Sequence, residues 1–290
     1  MRPRHPRDPF WMMLPTGALL AVFFFYPLVF AAYISLFRWD LLTEPVFVGF
    51  ANYRVLLESG ELAHAFLTTL SFSVVVVAGS MSLGLVLALA LNRPGKFPAF
   101  VRAAIFSAYV VSWVSVALLW LWVLDPSAGV ATSAVRALGG PGIDWLGDPG
   151  IALYTLALVT IWKIAGYSMV LFTAGLQDVP KSLIEAAALD GASSLARFRN
   201  VTWPLLRPTT AFVATTSLIL SFQVFDVVRV MTQGGPVRST TVFVYAIYEQ
   251  VFMNLRVGRA SAEVVVFFLL LLGLTLIQLS TWRKKARARA

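Results

Sequence analysis

The sequence has no cysteine, only two histidines and few charged residues, 13% of 290. Without thiols it can form no disulfide, thiolate metal site or cysteine nucleophile, and its redox compartment stays open. His5 and His64 are remote from each other and from any H-E-x-x-H spacing, so both are assigned to the surface and not to a metal. Also missing is the phosphate-binding pattern G-x-x-x-x-G-K-[ST], since Gly95-Lys96 lacks both the earlier glycine and the hydroxyl residue. Any ATP is therefore hydrolysed by another chain. The carboxylates of the polar segments, Asp40, Glu58, Glu61, Asp144 and Asp148, are too scattered for an acid–base pair, and the chain is not read as an enzyme.

What the sequence has in excess is apolar surface. It is 59% hydrophobic with a mean hydropathy of +0.79, whereas a soluble domain is charged at about a quarter of its positions. Most of this chain must be solvated by lipid. Six apolar runs, at about 11–36, 67–91, 104–124, 151–174, 210–231 and 262–279, each approach the ~20 residues that cross ~30 Å of hydrocarbon. The first follows Arg2, Arg4 and Arg7 but is longer than a signal-peptide core, so it reads as an uncleaved span. Trp120 and Trp122 suit an interface near the end of the third run, and Trp113, nearer its middle, suits packing on a neighbouring helix.

The net charge of +9 does not point to nucleic acid, because the basic residues flank the apolar runs and do not gather on one soluble face. Most lie in four stretches: the N-terminus, the 92–102 loop, the 178–208 loop and the tail with Arg283, Lys284, Lys285, Arg287 and Arg289. The alternate loops hold Arg38, Arg54, Arg136, Arg238, Arg256 and Arg259. By the positive-inside rule both termini and the 178–208 loop are cytoplasmic.

That loop, from Asp178 to Pro208, has the spacing of two short helices joined at Gly191. Pro180 fits a first turn, Ser182 and Glu185 fit a capping box, and Gly191 ends the helix in the left-handed conformation. Ser193 or Ser194 caps a second helix to about Asn200, and Pro204 and Pro208 precede the next apolar run.

The order Glu185-Ala186-Ala187, Asp190-Gly191-Ala192, Phe198, Val201, Pro204 and Pro208 resembles the EAA loop of permease subunits in binding-protein-dependent ABC importers. VGFANYRVLL (48–57), WKIAGYSMVLFTAGLQDVP (162–180) and TQGGPVRSTT (232–241) are similar to segments of the carbohydrate-uptake, MalF/UgpA-like branch. The likeness runs from Val48 to the sixth run, and Trp203 departs from the family's usual leucine before the proline. The resemblance implies an all-α polytopic protein: residues 1–290 form one transmembrane domain with six helices and a cytoplasmic coupling loop at 178–208. Its Glu185, Ala186, Ala187, Asp190, Gly191, Ala192, Phe198 and Pro204 would dock on an ATPase. It implies partners as well: a second permease subunit, two ATP-binding subunits that use ATP and Mg, and an extracytoplasmic solute-binding protein. No cofactor is expected on this chain, and the setting is a bacterial or archaeal cytoplasmic membrane. The expected cargo is a sugar or sugar-like solute, with glycerol phosphate or a glycerophosphodiester as the alternative.

Polar residues inside apolar runs mark partners or wet cavities, because charge at mid-depth costs at least ~2.5–3.5 kcal/mol. Lys163 faces a partner or a cavity, Asp226 can pair locally with Arg229, and Arg229 and Glu263 are near enough to run ends to snorkel. On a helix of 3.6 residues per turn Thr216, Gln223 and Asp226 share one stripe, which is read as the substrate path, the alternative being that Asp226 pairs with Arg229 and Gln223 bonds across a helix interface. The rival class is a stand-alone, ion-coupled secondary transporter whose ion would use charges such as Asp226.

Overall fold

The computed structural model describes residues 8–287, with side chains from Met13 to Ile277; Arg2, Arg4, His5, Arg7 and Arg289 lie outside the described residues. The chain opens with α1 (Asp8–Leu20) and α2 (Tyr26–Ile34), joined by a wide turn over Ala21–Phe25. A short ladder of β1 (Phe37–Arg38) and β2 (Val46–Phe47) is antiparallel, pairing Phe37 with Phe47 and Arg38 with Val46. After it come α3 (Ala51–Glu58), α4 (Glu61–Leu91), α5 (Lys96–Val110), α6 (Trp113–Val123), α7 (Val130–Ala137) and α8 (Ala152–Gln177). The remainder is α9 (Lys181–Leu189), α10 (Ser194–Arg197), α11 (Trp203–Phe222), α12 (Asp226–Met231), α13 (Phe243–Tyr248) and α14 (Val257–Arg287).

Five single helical stretches among the described residues are long and apolar enough to cross a membrane: 13–34, 61–91, 152–177, 194–231 and 257–277. The third apolar run is not one straight span, as its composition predicts, but the pair α5 and α6, bent by 101° at Val111-Ser112. The fifth run differs too. Its helix begins at Ser194, well before Thr210, and the ladder opens at Gln223–Phe225 before α12.

Two wide turns share a cause. The residue before Pro27 donates to Ala21, and the residue before Pro204 donates to Phe198, each five positions back. A proline offers no N–H and its ring collides with the carbonyl four residues earlier, and widening the turn relieves that collision without ending the helix. Proline therefore does not stop the helix at Asn200: the residues from Ser194 run through Pro204 and Pro208 into the fifth span.

The chain forms two compact units, one from the residues up to Ala63 together with those from Ala246, the other from His64 to Tyr245. In the first, α14 packs on α2 and α3. Asn52, 6% exposed, donates both amide hydrogens, to the Ser35 and Phe37 carbonyls at 2.8 Å each, and Tyr53 Oη meets Ser35 Oγ at 2.7 Å. The Asn-Tyr pair thus ties α3 to the end of the first span. Gly258 lets α14 touch the Phe37 carbonyl, where any Cβ would collide.

In the second unit α8 is the central helix. Of its apolar window 67% is buried, against 22% for α4. Ala88 of α4, Met169, Phe172 and Leu176 of α8, and Leu206 and Val213 of α11 form its core. Small residues allow the close approach: a Cβ on Gly84 would stand 2.5 Å from that of Ser168, and one on Gly166 would stand 2.7 Å from the Ile105 carbonyl. Arg102 donates to the Leu91 carbonyl at 2.6 Å and closes α4.

Candidate functional site

The 178–208 segment is built as two helices about a glycine, but its start differs from the sequence expectation. Pro180 is the N-cap, in an extended conformation, and no side chain caps the helix. Ser182 already lies inside the first turn, so the capping box with Glu185 does not form. Gly191, at φ +77, closes a Schellman motif: its N–H donates to Ala188 and that of Ala192 to Ala187, at 3.1 and 3.0 Å. Ser193 then caps α10, accepting from the Ala196 N–H at 3.3 Å. Glu185, Ala186, Asp190 and Gly191 are exposed, whereas Ala187, Ala192, Phe198 and Pro204 are half-buried. Three leucines of this segment stand out in the open: Leu183 at 46%, Leu189 at 90% and Leu195 at 75%. The Trp203 ring packs beside Phe198, 6.1 Å between centroids.

A second feature is a cavity of about 110 Å³ lined by Trp113, Leu220, Gln223, Val224, Phe225, Asp226 and Val227. Gln223 and Asp226 meet there, yet not as neighbours on one helical stripe. Gln223 follows the last residue of α11, and Phe225 at φ −142, ψ −58 is outside the helix, so the helix is interrupted before α12, which packs against α6. Thr216 does not line the cavity. Its hydroxyl donates back to the Phe212 and Val213 carbonyls at 3.0 and 3.1 Å. Glu263, 2% exposed, is buried and does not snorkel.

Lys163 is the residue whose role sequence reasoning left open. It is 1% exposed, and its ammonium donates to the Ala108 and Tyr109 carbonyls at 3.1 Å each and to that of Val111, with the Trp113 ring 4.7 Å away. The charge is therefore spent on the end of α5. Only the pairing of an intramembrane cation with a nearby tryptophan in another run could have pointed there.

The motif after the fifth run is a knot of threonines. Thr232 and Thr240 hydroxyls meet at 2.8 Å, Thr240 donates to Gly235 at 2.6 Å, Thr241 donates to Gly234 at 3.1 Å, and the Phe243 N–H donates to Thr69 of α4 at 2.8 Å. His64 is exposed and bonds the Arg238 carbonyl at 2.9 Å.

The loop carboxylates serve their own turns. Asp125 accepts from the Ser127 hydroxyl and from the Ser127 and Ala128 N–H groups at 2.6–2.9 Å, and the hydroxyl most of all holds it below the usual carboxylate range. Asp40 is lowered in the same way, first by the Thr43 N–H. Among the described residues no group of three or more His, Asp or Glu side chains is placed to hold a metal ion.

Five long apolar helical stretches and the bent pair α5 and α6 define a multi-pass membrane protein. A family model described as "Binding-protein-dependent transport system inner membrane component" matches residues 80–284. The chain is 34% identical over 276 residues to the sn-glycerol-3-phosphate transport system permease protein UgpA of Rhizobium meliloti (strain 1021), covering 93% of this chain and 92% of the relative. It is also 34% identical over 274 residues to the protein of that name from Brucella abortus biovar 1 (strain 9-941), with coverages of 93% and 92%. The fold matches that of a bacterial ABC transporter involved in the import of the acidic polysaccharide alginate, at TM-score 0.81, 23% identity and coverages of 95% and 94%. The chain belongs to the binding-protein-dependent transport system inner membrane component family. It is a permease subunit of a carbohydrate-type ABC importer, which sets aside the stand-alone, ion-coupled transporter.

Proposed function

We propose that this chain is a six-span permease subunit, both termini cytoplasmic, that passes glycerol phosphate or a closely related polyol phosphate released by an extracytoplasmic binding protein. The observation that carries the cargo is the 34% identity, over more than nine-tenths of the chain, to permeases named for sn-glycerol-3-phosphate. It favours the phosphorylated polyol over the neutral sugar that family resemblance alone put first. Six spans follow if the bent pair α5 and α6 counts as one.

In this reading 178–208 is the coupling loop. Glu185, Ala186, Ala187, Asp190, Gly191, Ala192, Phe198 and Pro204 build the helix–glycine–helix shape, and Leu183, Leu189 and Leu195 supply apolar surface for the ATPase cleft. A second permease subunit and two ATP-binding subunits, which use ATP and Mg, complete the importer. Gln223 and Asp226 line the path, with Thr216 two turns nearer the cytoplasm. An amide and a carboxylate suit hydroxyl groups, which sugars and polyol phosphates share, so the cavity itself does not separate the two cargoes.

Reconstitution of the importer with its binding protein tests this. We expect sn-glycerol-3-phosphate to stimulate ATP hydrolysis and to accumulate, and Asp226→Asn to lower accumulation while assembly persists. Accumulation of a neutral sugar instead of the phosphate would overturn the cargo, and loss of assembly in Asp226→Asn would make that residue structural.

A further inference from the structure

A helix bent by 101° within an apolar run needs a cause, and residues 110–113 offer none. They are Val-Val-Ser-Trp, without proline or glycine, and Ser112, the N-cap of α6, makes no side-chain capping hydrogen bond. Sharp kinks arise at proline, at Gly/Ser pairs, at wide turns, or where a side chain or water enters the carbonyl ladder. The last of these is what the structure holds.

The final carbonyls of α5 lose their partners because the ladder stops. The Val111 N–H reaches Ser107 at 3.3 Å, then Val111 and Ser112 turn extended, at ψ 144 and 139. This leaves the carbonyls of Ala108, Tyr109, Val110 and Val111 without helical donors, a state that lipid cannot relieve. Lys163, from the middle of α8, places its three ammonium hydrogens on three of them: Ala108, Tyr109 and Val111. The cation also sits at the negative end of the α5 dipole and 4.7 Å from the face of Trp113, the first residue of α6. One turn along α8, Gly166 lets the α5 backbone lie directly against it, and Tyr167 stacks on Tyr109 at 4.8 Å.

We infer that Lys163 is the positioning residue that holds the third span broken, and that by doing so it sets Trp113 in the wall of the Gln223 and Asp226 cavity. The bend is imposed from α8 and is not encoded at its own position. Without the ammonium, Val110 to Trp113 recover their hydrogen bonds most simply by continuing the helix. Trp113 then leaves the cavity. The effect on transport, unlike the bend, rests on the path proposed above.

The absence of native cysteine permits a direct measurement. Spin labels are attached at Phe97→Cys and Trp122→Cys, positions 76% and 84% exposed, and their separation is read by pulsed electron resonance in the assembled importer. At 1.5 Å per residue, arms of about 21 and about 15 Å bent by 101° put the labelled backbones about 23 Å apart, against about 37 Å for a straight helix. With Lys163 native we expect the short distance. Lys163→Met should move it towards the long one and abolish most uptake, while Lys163→Arg, which keeps charge and donors, should restore both.

If Lys163→Met does not assemble, Lys163→Gln is measured in the same way, with a broadened distribution expected. An unchanged short distance in either assembled neutral variant overturns the inference. A lengthened distance with normal uptake upholds the latch and refutes the proposed path instead, so the two failures are distinguishable.

Discussion

Asn52 shows how a single amide fixes the end of a span. Its two hydrogens satisfy the Ser35 and Phe37 carbonyls, which lie where the first span runs out and the small ladder begins. An alanine there leaves both acceptors without that donor in a nearly closed site, at a cost of about 1–3 kcal/mol. We therefore expect Asn52→Ala to insert normally but to lower the apparent melting temperature of the purified protein, and Asn52→Gln to recover little because the longer arm misplaces the amide. A melting temperature equal to that of the native chain would show that water replaces the amide at no cost. The resemblance of 48–57 to a family segment marks Asn52 in the sequence, but not what it bonds. That depends on carbonyls 15 and 17 residues away. Gly191 is the opposite case, since a glycine after a run of helix formers announces both the end of the helix and the left-handed geometry found there.

Among the elements, α9 and α10 are the pair whose relation depends on one backbone conformation. No heavy atom lies within 4 Å of a Cβ built on Gly191, so the objection to a side chain there is its φ of +77 and not space. A left-handed residue with a branched side chain costs about 1–2 kcal/mol, enough to shift the hinge of a short exposed helix without unfolding the spans. On the proposed coupling role, Gly191→Val and Glu185→Lys should leave insertion unchanged, weaken retention of the ATPase subunits on purification and abolish uptake. Wild-type uptake by both variants at normal expression would remove the coupling assignment. The bend of the third span and the interruption of the fifth belong to this scale as well. Each apolar run is legible as a span, but neither break is, because no proline or glycine stands at 111–112 or 223–225.

For the whole molecule, the proposed orientation can be checked by chemical access. Ser127 and Ser193 are both exposed, the first in the turn after α6 and the second at the cap of α10. Single cysteines at these sites should label oppositely with a membrane-impermeant thiol reagent, Ser127→Cys in intact cells and Ser193→Cys only after the membrane is opened. The same pattern at both sites would refute the orientation drawn from the basic loops.

The sequence by itself determined that this is a multi-pass helical protein, where its apolar runs lie, and the glycine that separates α9 from α10. Run length, charge distribution and glycine conformation are properties of neighbouring residues and need no tertiary context. Only the tertiary structure decided that the third span is broken, that Gln223 and Asp226 meet across a restarted helix with Trp113, and that Lys163 serves a helix end. The reason is physical. A carbonyl ladder breaks where a distant donor is supplied, and here the donor to Val111 stands 52 residues away on α8.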